Sequence, residues 1–176
     1  MKPKIYLLLG DGGYVFSMGF YLWGRRLAAK GYEVEVHADS GRKVSEVADD
    51  IMRQGARPIV LAGYSLGGNG TAWIAKEVGL RKGKIAFILA VDPTTHGDPL
   101  SQYPLGPHVK EALCVRNTGW GLWSPISWLF GRSELVGPQV DMFDVSADHL
   151  AMQFLSSWQE LSEVIIDNIE TGGRGG

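Results

Sequence analysis

Residues 58–78, PIVLAGYSLGGNGTAWIAKEV, constrain this chain more than any other stretch. A β-branched, apolar run suited to a buried strand stops at a serine between glycines, and a helix-like pattern follows at once. Gly63-Tyr64-Ser65-Leu66-Gly67 matches G-x-S-x-G, a strained strand-to-helix turn that lifts a serine hydroxyl out of a sheet and sets a helix N-terminus beside it. Side chains flanking that serine would strike neighbouring backbone, so glycine is needed on both sides. An ordinary N-cap serine has no such requirement. In a chain with 24 glycines the five-residue pattern alone is weak, and the strand before it and the helix after it carry the reading.

Strand-like and helix-like segments alternate along the 176 residues, the pattern of parallel βαβ units. The sequence predicts strands over 4–9, 33–37, 58–63, 85–91, 112–117 and 139–145, and helices over 17–31, 44–54, 67–78 and 148–168. Several strands are near-continuous apolar runs (IYLLLG, IVLAG, IAFILAV), as expected where both sheet faces are covered. The fold class implied is α/β: a three-layer α/β/α sandwich around a doubly wound, mostly parallel sheet of about six strands in the order 2-1-3-4-5-6. One domain over 1–170 is expected, with a disordered Gly-rich tail over 171–176. Residues 91–107 and 117–138 are Gly/Pro-rich and read as irregular loops, which at that length in a small domain are usually functional or mobile.

Ligands of such sheets bind beyond the carboxyl ends of the strands, where the strand order reverses. Here that point lies between GDGGYVFS, after strand 1, and GYSLGG, after strand 3. A serine nucleophile at Ser65 requires a base, and the base an orienting carboxylate. The chain order serine, acid, histidine points to His149, in VDMFDVSADHLAMQF, ahead of His96. His37 precedes the serine, and His108 lies in a loop. Asp92, in FILAVDPTTHGD, stands at the carboxyl end of strand 4 and is the preferred acid. Asn117 follows the next strand, where many elbow enzymes carry their acid, but an amide supplies no charge. Asp98 and Asp148 are reserves. For the oxyanion, the backbone N–H of Leu66 and one from the strand-1 loop, Gly13 or Tyr14, are expected.

Tyr64, Tyr14 and Phe16 could line the site, although Tyr64 could equally be packed. Residues 118–131, TGWGLWSPISWLFG, hold Trp120, Trp123 and Trp128. This stretch could line an acyl pocket, form a small lid, touch lipid or a partner, or pack over the sheet edge.

Composition narrows the partners. A net charge of −2 leaves no basic footprint for nucleic acid. The single cysteine, Cys114, excludes an internal disulfide and reads as a small apolar strand residue. Asp11 and the glycines after it cut short the apolar run of MKPKIYLLLGDGG, so no export signal is expected. No stretch approaches the roughly 20 apolar residues of a membrane span. The default expectation is a soluble cytoplasmic protein. No His/Cys/Asp clustering suggests a metal, and neither a metal nor an organic cofactor is expected.

At LLGDGGYVFSMGF, IVLAGYSLGG, ILAVDPT and ADHLAM the chain resembles the α/β-hydrolase superfamily, specifically its small bacterial and phage members. With the strand order, these pieces span nearly the whole chain. The resemblance implies a minimal hydrolase core, and this sequence departs from the family in lacking two early strands and a separate cap domain. It further implies ester, thioester or related acyl hydrolysis through an acyl-serine, on a small-molecule substrate and without a cofactor. An acid after strand 4 resembles the placement in some lipases.

Two rival readings remain. GDGGYV follows a strand and opens a helix, and Asp39 ends strand 2 where a ribose-binding acid would sit, as in a Rossmann-like nucleotide-binding protein. Val15 stands where that motif needs its third glycine. The other rival is a non-catalytic binding protein that keeps the elbow's shape.

Overall fold

Ile5, Tyr6, Leu7 and Leu8 are fully buried, so the first strand is covered on both faces, and the architecture follows from what covers it. The structure, a computed structural model, describes residues 1–38, 43–95, 100–119 and 131–171. Along the chain run β1 (Lys4–Leu8), α1 (Met18–Ala29), β2 (Glu33–His37), α2 (Val44–Arg53), β3 (Ile59–Tyr64), α3 (Leu66–Leu80) and β4 (Phe87–Val91). They are followed by β5 (Leu100–Pro104), β6 (Ala112–Asn117), β7 (Arg132–Val136), β8 (Val140–Val145), α4 (His149–Met152) and α5 (Ser156–Thr171).

The main sheet has the order β2-β1-β3-β4-β6-β8, with every neighbouring pair parallel. Counting only these six strands, that is the predicted 2-1-3-4-5-6. The side-chain alternation of a strand divides β1 between two cores. Tyr6 and Leu8 face Val47, Ile51, Ile74 and Val78 of α2 and α3. Ile5 and Leu7 face Phe20, Trp23, Leu27, Trp158 and Ile166 of α1 and α5. Trp23 and Trp158 meet edge-to-face at 5.3 Å, an arrangement favoured by the ring quadrupoles. Cys114 is buried in β6, where burial pushes its thiol pKa up to about 11.

Two expectations need correction. The segments read as irregular contain β5 and β7, which pair in parallel as a separate two-stranded sheet. Their sequences, LSQYP and RSELV, are five residues each and mix polar with apolar side chains, LSQYP ending at a proline, so neither carries a strong period-2 apolar signal. The single closing helix is in fact two, α4 and α5. Elsewhere the ends move by a residue or two, as helix and strand ends commonly do.

One buried ionic network sits beneath α2. The Lys4 ammonium, only 5% exposed, contacts Asp50 at 2.7 Å and Glu35 at 2.9 Å, and the Tyr6 hydroxyl donates to Asp50 at 2.5 Å. Burial alone would lower the Lys4 pKa; the hydrogen bonds to Asp50, Glu35 and Tyr6 outweigh it, and the net shift is upward. The Lys4 and Tyr6 donors hold the Asp50 carboxyl down at about 2. Its folded pKa therefore lies below the unfolded value, so the stabilisation is complete above about pH 4 and disappears as pH falls through 2. Comparing denaturant unfolding of wild type and Asp50→Asn across that window should show the wild-type advantage shrinking by about 1–2 kcal/mol. An advantage independent of pH between 4 and 2 would mean that the network contributes nothing through Asp50.

Candidate active site

β3 ends at Tyr64 and α3 begins at Leu66, leaving Ser65 alone to make the turn. Its backbone has φ 56° and ψ −124°, a region that non-glycine residues occupy only when their surroundings force it. A Cβ on Gly63 would lie 2.1 Å from the Gly67 carbonyl oxygen, and one on Gly67 would lie 2.2 Å from that of Leu8. The turn packs backbone on backbone, and this is what the two flanking glycines permit. Two further glycines serve it. A Cβ on Gly10 would come within 2.9 Å of the Ser65 Cβ, and one on Gly68 within 2.9 Å of the Pro93 Cβ.

The structure brings Ser65, His149 and Asp92 into one line. Asp92 follows β4 in a left-handed conformation (φ 41°), and its N–H donates to the Val115 carbonyl at 2.8 Å. His149 opens α4, whose N-cap Asp148 accepts the Leu150 N–H at 3.0 Å. His149 Nδ1 lies 2.5 Å from Asp92 Oδ2, and Nε2 lies 3.2 Å from Ser65 Oγ. A carboxylate can only accept, so in the neutral imidazole Nδ1 carries the proton and Nε2 accepts from the serine hydroxyl. Ser65, Asp92 and His149 are each largely buried.

Thr94 completes the surroundings of the serine, and sequence reasoning missed it. Its Oγ1 lies 3.1 Å from Ser65 Oγ, and its N–H donates to the Ser65 carbonyl at 3.2 Å. The small sheet holds this stretch in place: Ser133 N–H donates to the Pro93 carbonyl at 3.0 Å, and Thr94 bridges Arg132. From the other side, the Ser133 hydroxyl donates to Asn69 Oδ1 of α3 at 3.0 Å. A polar residue two positions past Asp92 was the available signal, but its relevance depended on β7, which the sequence did not reveal.

The remaining candidates fall out as follows. Leu66 is the first residue of α3, and first-turn N–H groups have no partner within their own helix. Gly13 instead gives its N–H to the Gly10 carbonyl at 3.1 Å, so that donor is engaged in the turn. Tyr14 stands half-exposed, its ring edge-on to Tyr21 at 5.0 Å. Tyr64 is not a lining residue. It is buried, stacks on the His149 ring at 5.2 Å and donates its hydroxyl to the His149 carbonyl at 2.6 Å, so it supports the imidazole from beneath. Burial, with the charges of Asp92 and Asp148 nearby, raises the pKa of that hydroxyl.

Phe16 is 51% exposed beside Val15 at 77%, so the loop after β1 presents two apolar side chains at the surface. Trp120 and Trp123, with most of 118–131, lie outside the described residues, as do His96, Asp98 and Asp39. Asn117 is buried; its Oδ1 accepts the Gly119 N–H at 2.8 Å, and its Nδ2 has no hydrogen-bond partner among the described residues. His37 stacks on Tyr6, and His108 Nε2 lies 2.8 Å from the Ala75 carbonyl, so both have local partners of their own. No helix among the described residues is long and apolar enough to cross a membrane.

No family model and no curated protein matches the sequence. Solved structures do match it in shape. The NocB thioesterase domain from the nocardicin cluster superimposes with a TM-score of 0.62 at 11% identity, over 95% of each chain. Human thioesterase 2 gives 0.59 at 11% identity over 97% of each chain. A Xanthomonas campestris pv. campestris protein assigned to the hydrolases of the alpha/beta superfamily gives 0.57 at 16% identity, covering 97% of this chain and 99% of that one. Identities this low speak to architecture, and end-to-end coverage agrees with the strand order and the strand-to-helix turn: the chain has the α/β-hydrolase fold.

Proposed function

We propose that this chain is a serine acyl hydrolase, cleaving an ester or thioester of a small molecule through an acyl-Ser65 intermediate. One observation carries the reading: the continuous hydrogen-bond line from Asp92 through His149 to a serine on a strained turn. Nothing about packing requires a buried carboxylate, an imidazole and a hydroxyl to align there. Strain at a non-glycine residue persists only when the surroundings over-determine it. The similarity in fold to two thioesterases is consistent with acyl chemistry.

In the proposed reaction, Ser65 Oγ attacks the acyl carbon while His149 Nε2 takes its proton. Asp92, accepting from Nδ1–H, stabilises the imidazolium that forms. The Leu66 N–H and a donor from the loop after β1 would hold the oxyanion. The imidazolium returns its proton to the departing alcohol or thiol, leaving the acyl group on Ser65. Water then attacks that ester with His149 again as base, Ser65 Oγ is reprotonated, and the free acid leaves. The exposed apolar side chains of Val15 and Phe16, in the loop after β1, would suit an apolar acyl group.

The test is direct. A fluorophosphonate should add covalently at Ser65, seen as a mass increment on the peptide that contains it. Unlabelled protein under conditions that label a known serine esterase would leave a non-catalytic binding role as the better reading.

A further inference from the structure

α1 begins without the cap its sequence offers. Ser17 stands at the N-cap position, yet its hydroxyl makes no capping bond. It is turned inward and accepts the Gly10 N–H at 3.0 Å, shaping the loop beside Ser65. The orphan N–H of Gly19, the second residue of α1, is satisfied from the far end of the chain: Gln153 Oε1 accepts it at 2.8 Å. The same carboxamide donates through Nε2 to the Phe16 carbonyl at 3.0 Å and to the Leu150 carbonyl at 3.0 Å. Gln153 is 3% exposed, and its own carbonyl accepts from Gln159 Nε2 at 2.9 Å, which anchors it to α5.

One buried amide therefore joins the segment that carries His149 to the end of the strand-1 loop and the first turn of α1. Resting on the acyl-hydrolase reading, we infer that Gln153 is a positioning residue: it fixes the base-bearing segment against the loop that supplies the second oxyanion donor. Glutamine suits the place because it needs two donors and an acceptor on one planar group. Separation of base and oxyanion donor by about 1 Å is enough to cost about a hundredfold in rate. Tyr64 holds the His149 carbonyl from below, but it reaches no part of the strand-1 loop through that bond.

The experiment uses Gln153→Glu, with Gln153→Met read in the same way should the first variant precipitate. Fluorophosphonate titration counts competent Ser65, and hydrolysis of a short p-nitrophenyl ester is expressed per titrated site. Expected is a fall of about 10- to 100-fold in kcat per site, with KM within about twofold. For Gln153→Glu, the ratio of variant to wild-type kcat should also climb as pH falls from 8 to 5, because protonation returns one donor to the carboxyl group. A merely structural role would lower the number of titrated sites and leave kcat per site within about twofold of wild type. That result would overturn the proposal. A wild-type protein that takes up no probe would remove the hydrolase reading along with it, so the two failures are distinguishable.

Discussion

Ser65→Ala should lose at least about three orders of magnitude in kcat on short p-nitrophenyl esters and thioesters, because the atom that would accept the acyl group is gone. Single removal of a serine from such a constellation typically costs nearly as much as removal of all its members. Residual hydrolysis would come from the oxyanion donors and binding alone. The fold should persist: the strained φ of 56° favours no particular side chain beyond Cβ, and the hydroxyl's hydrogen-bonding partners, His149 and Thr94, have other support. His149 keeps Asp92 and the Tyr64 ring, and Thr94 keeps its backbone bond to the residue-65 carbonyl. Thermal unfolding within a few degrees of wild type, alongside lost turnover, is the expected pair of results. Turnover at the wild-type rate would refute the assignment of the nucleophile, however well the geometry aligns.

Asp92→Asn should lower kcat by about 10³- to 10⁴-fold, for a reason different from loss of packing. The amide can present its NH₂ to His149 Nδ1, which then becomes the acceptor and transfers the proton to Nε2. With Nε2 protonated, Ser65 has no base. Asn117→Ala, measured beside it, should stay within about tenfold of wild type, because Asn117 bonds Gly119 whereas His149 Nδ1 bonds Asp92. Any loss there would reflect the local turn. The pair discriminates between the two strand ends from which an acid could come. Wild-type rates in both variants would mean that the orienting charge comes from neither position.

Much of this molecule could be read before its coordinates. Periodicity located all six strands of the main sheet, because IYLLL, IVLAGY and FILAV are buried on both faces and carry little polar interruption. The elbow was readable because its geometry admits so few residues: glycine at 63 and 67 is dictated by contacts of 2.1 and 2.2 Å. Asp92 and His149 could be proposed from chain order, since strand ends in a parallel sheet all open onto one rim.

What escaped is equally specific. β5 and β7 satisfy each other's backbone across a long separation, and nothing in LSQYP or RSELV signals the partner. Thr94 matters only because β7 pins the chain behind it, and Gln153 only because Ser17 turns its hydroxyl away from the helix it precedes. Tyr64 was a candidate wall of the site and proved to be a support for the imidazole.

By itself, then, the order of residues determined the layers, the sequence of strands, and the place of a hydroxyl on a turn too tight for side chains. Those features depend on local propensity and on burial, which are written in neighbouring residues. The tertiary structure alone decided which groups reach one another: the carboxylate after β4, the imidazole 57 residues later, and the amide 134 residues from the N–H it caps. Hydrogen bonds of that kind act over about 3 Å between residues remote in sequence, so they are set by how the layers pack and leave no local pattern to read.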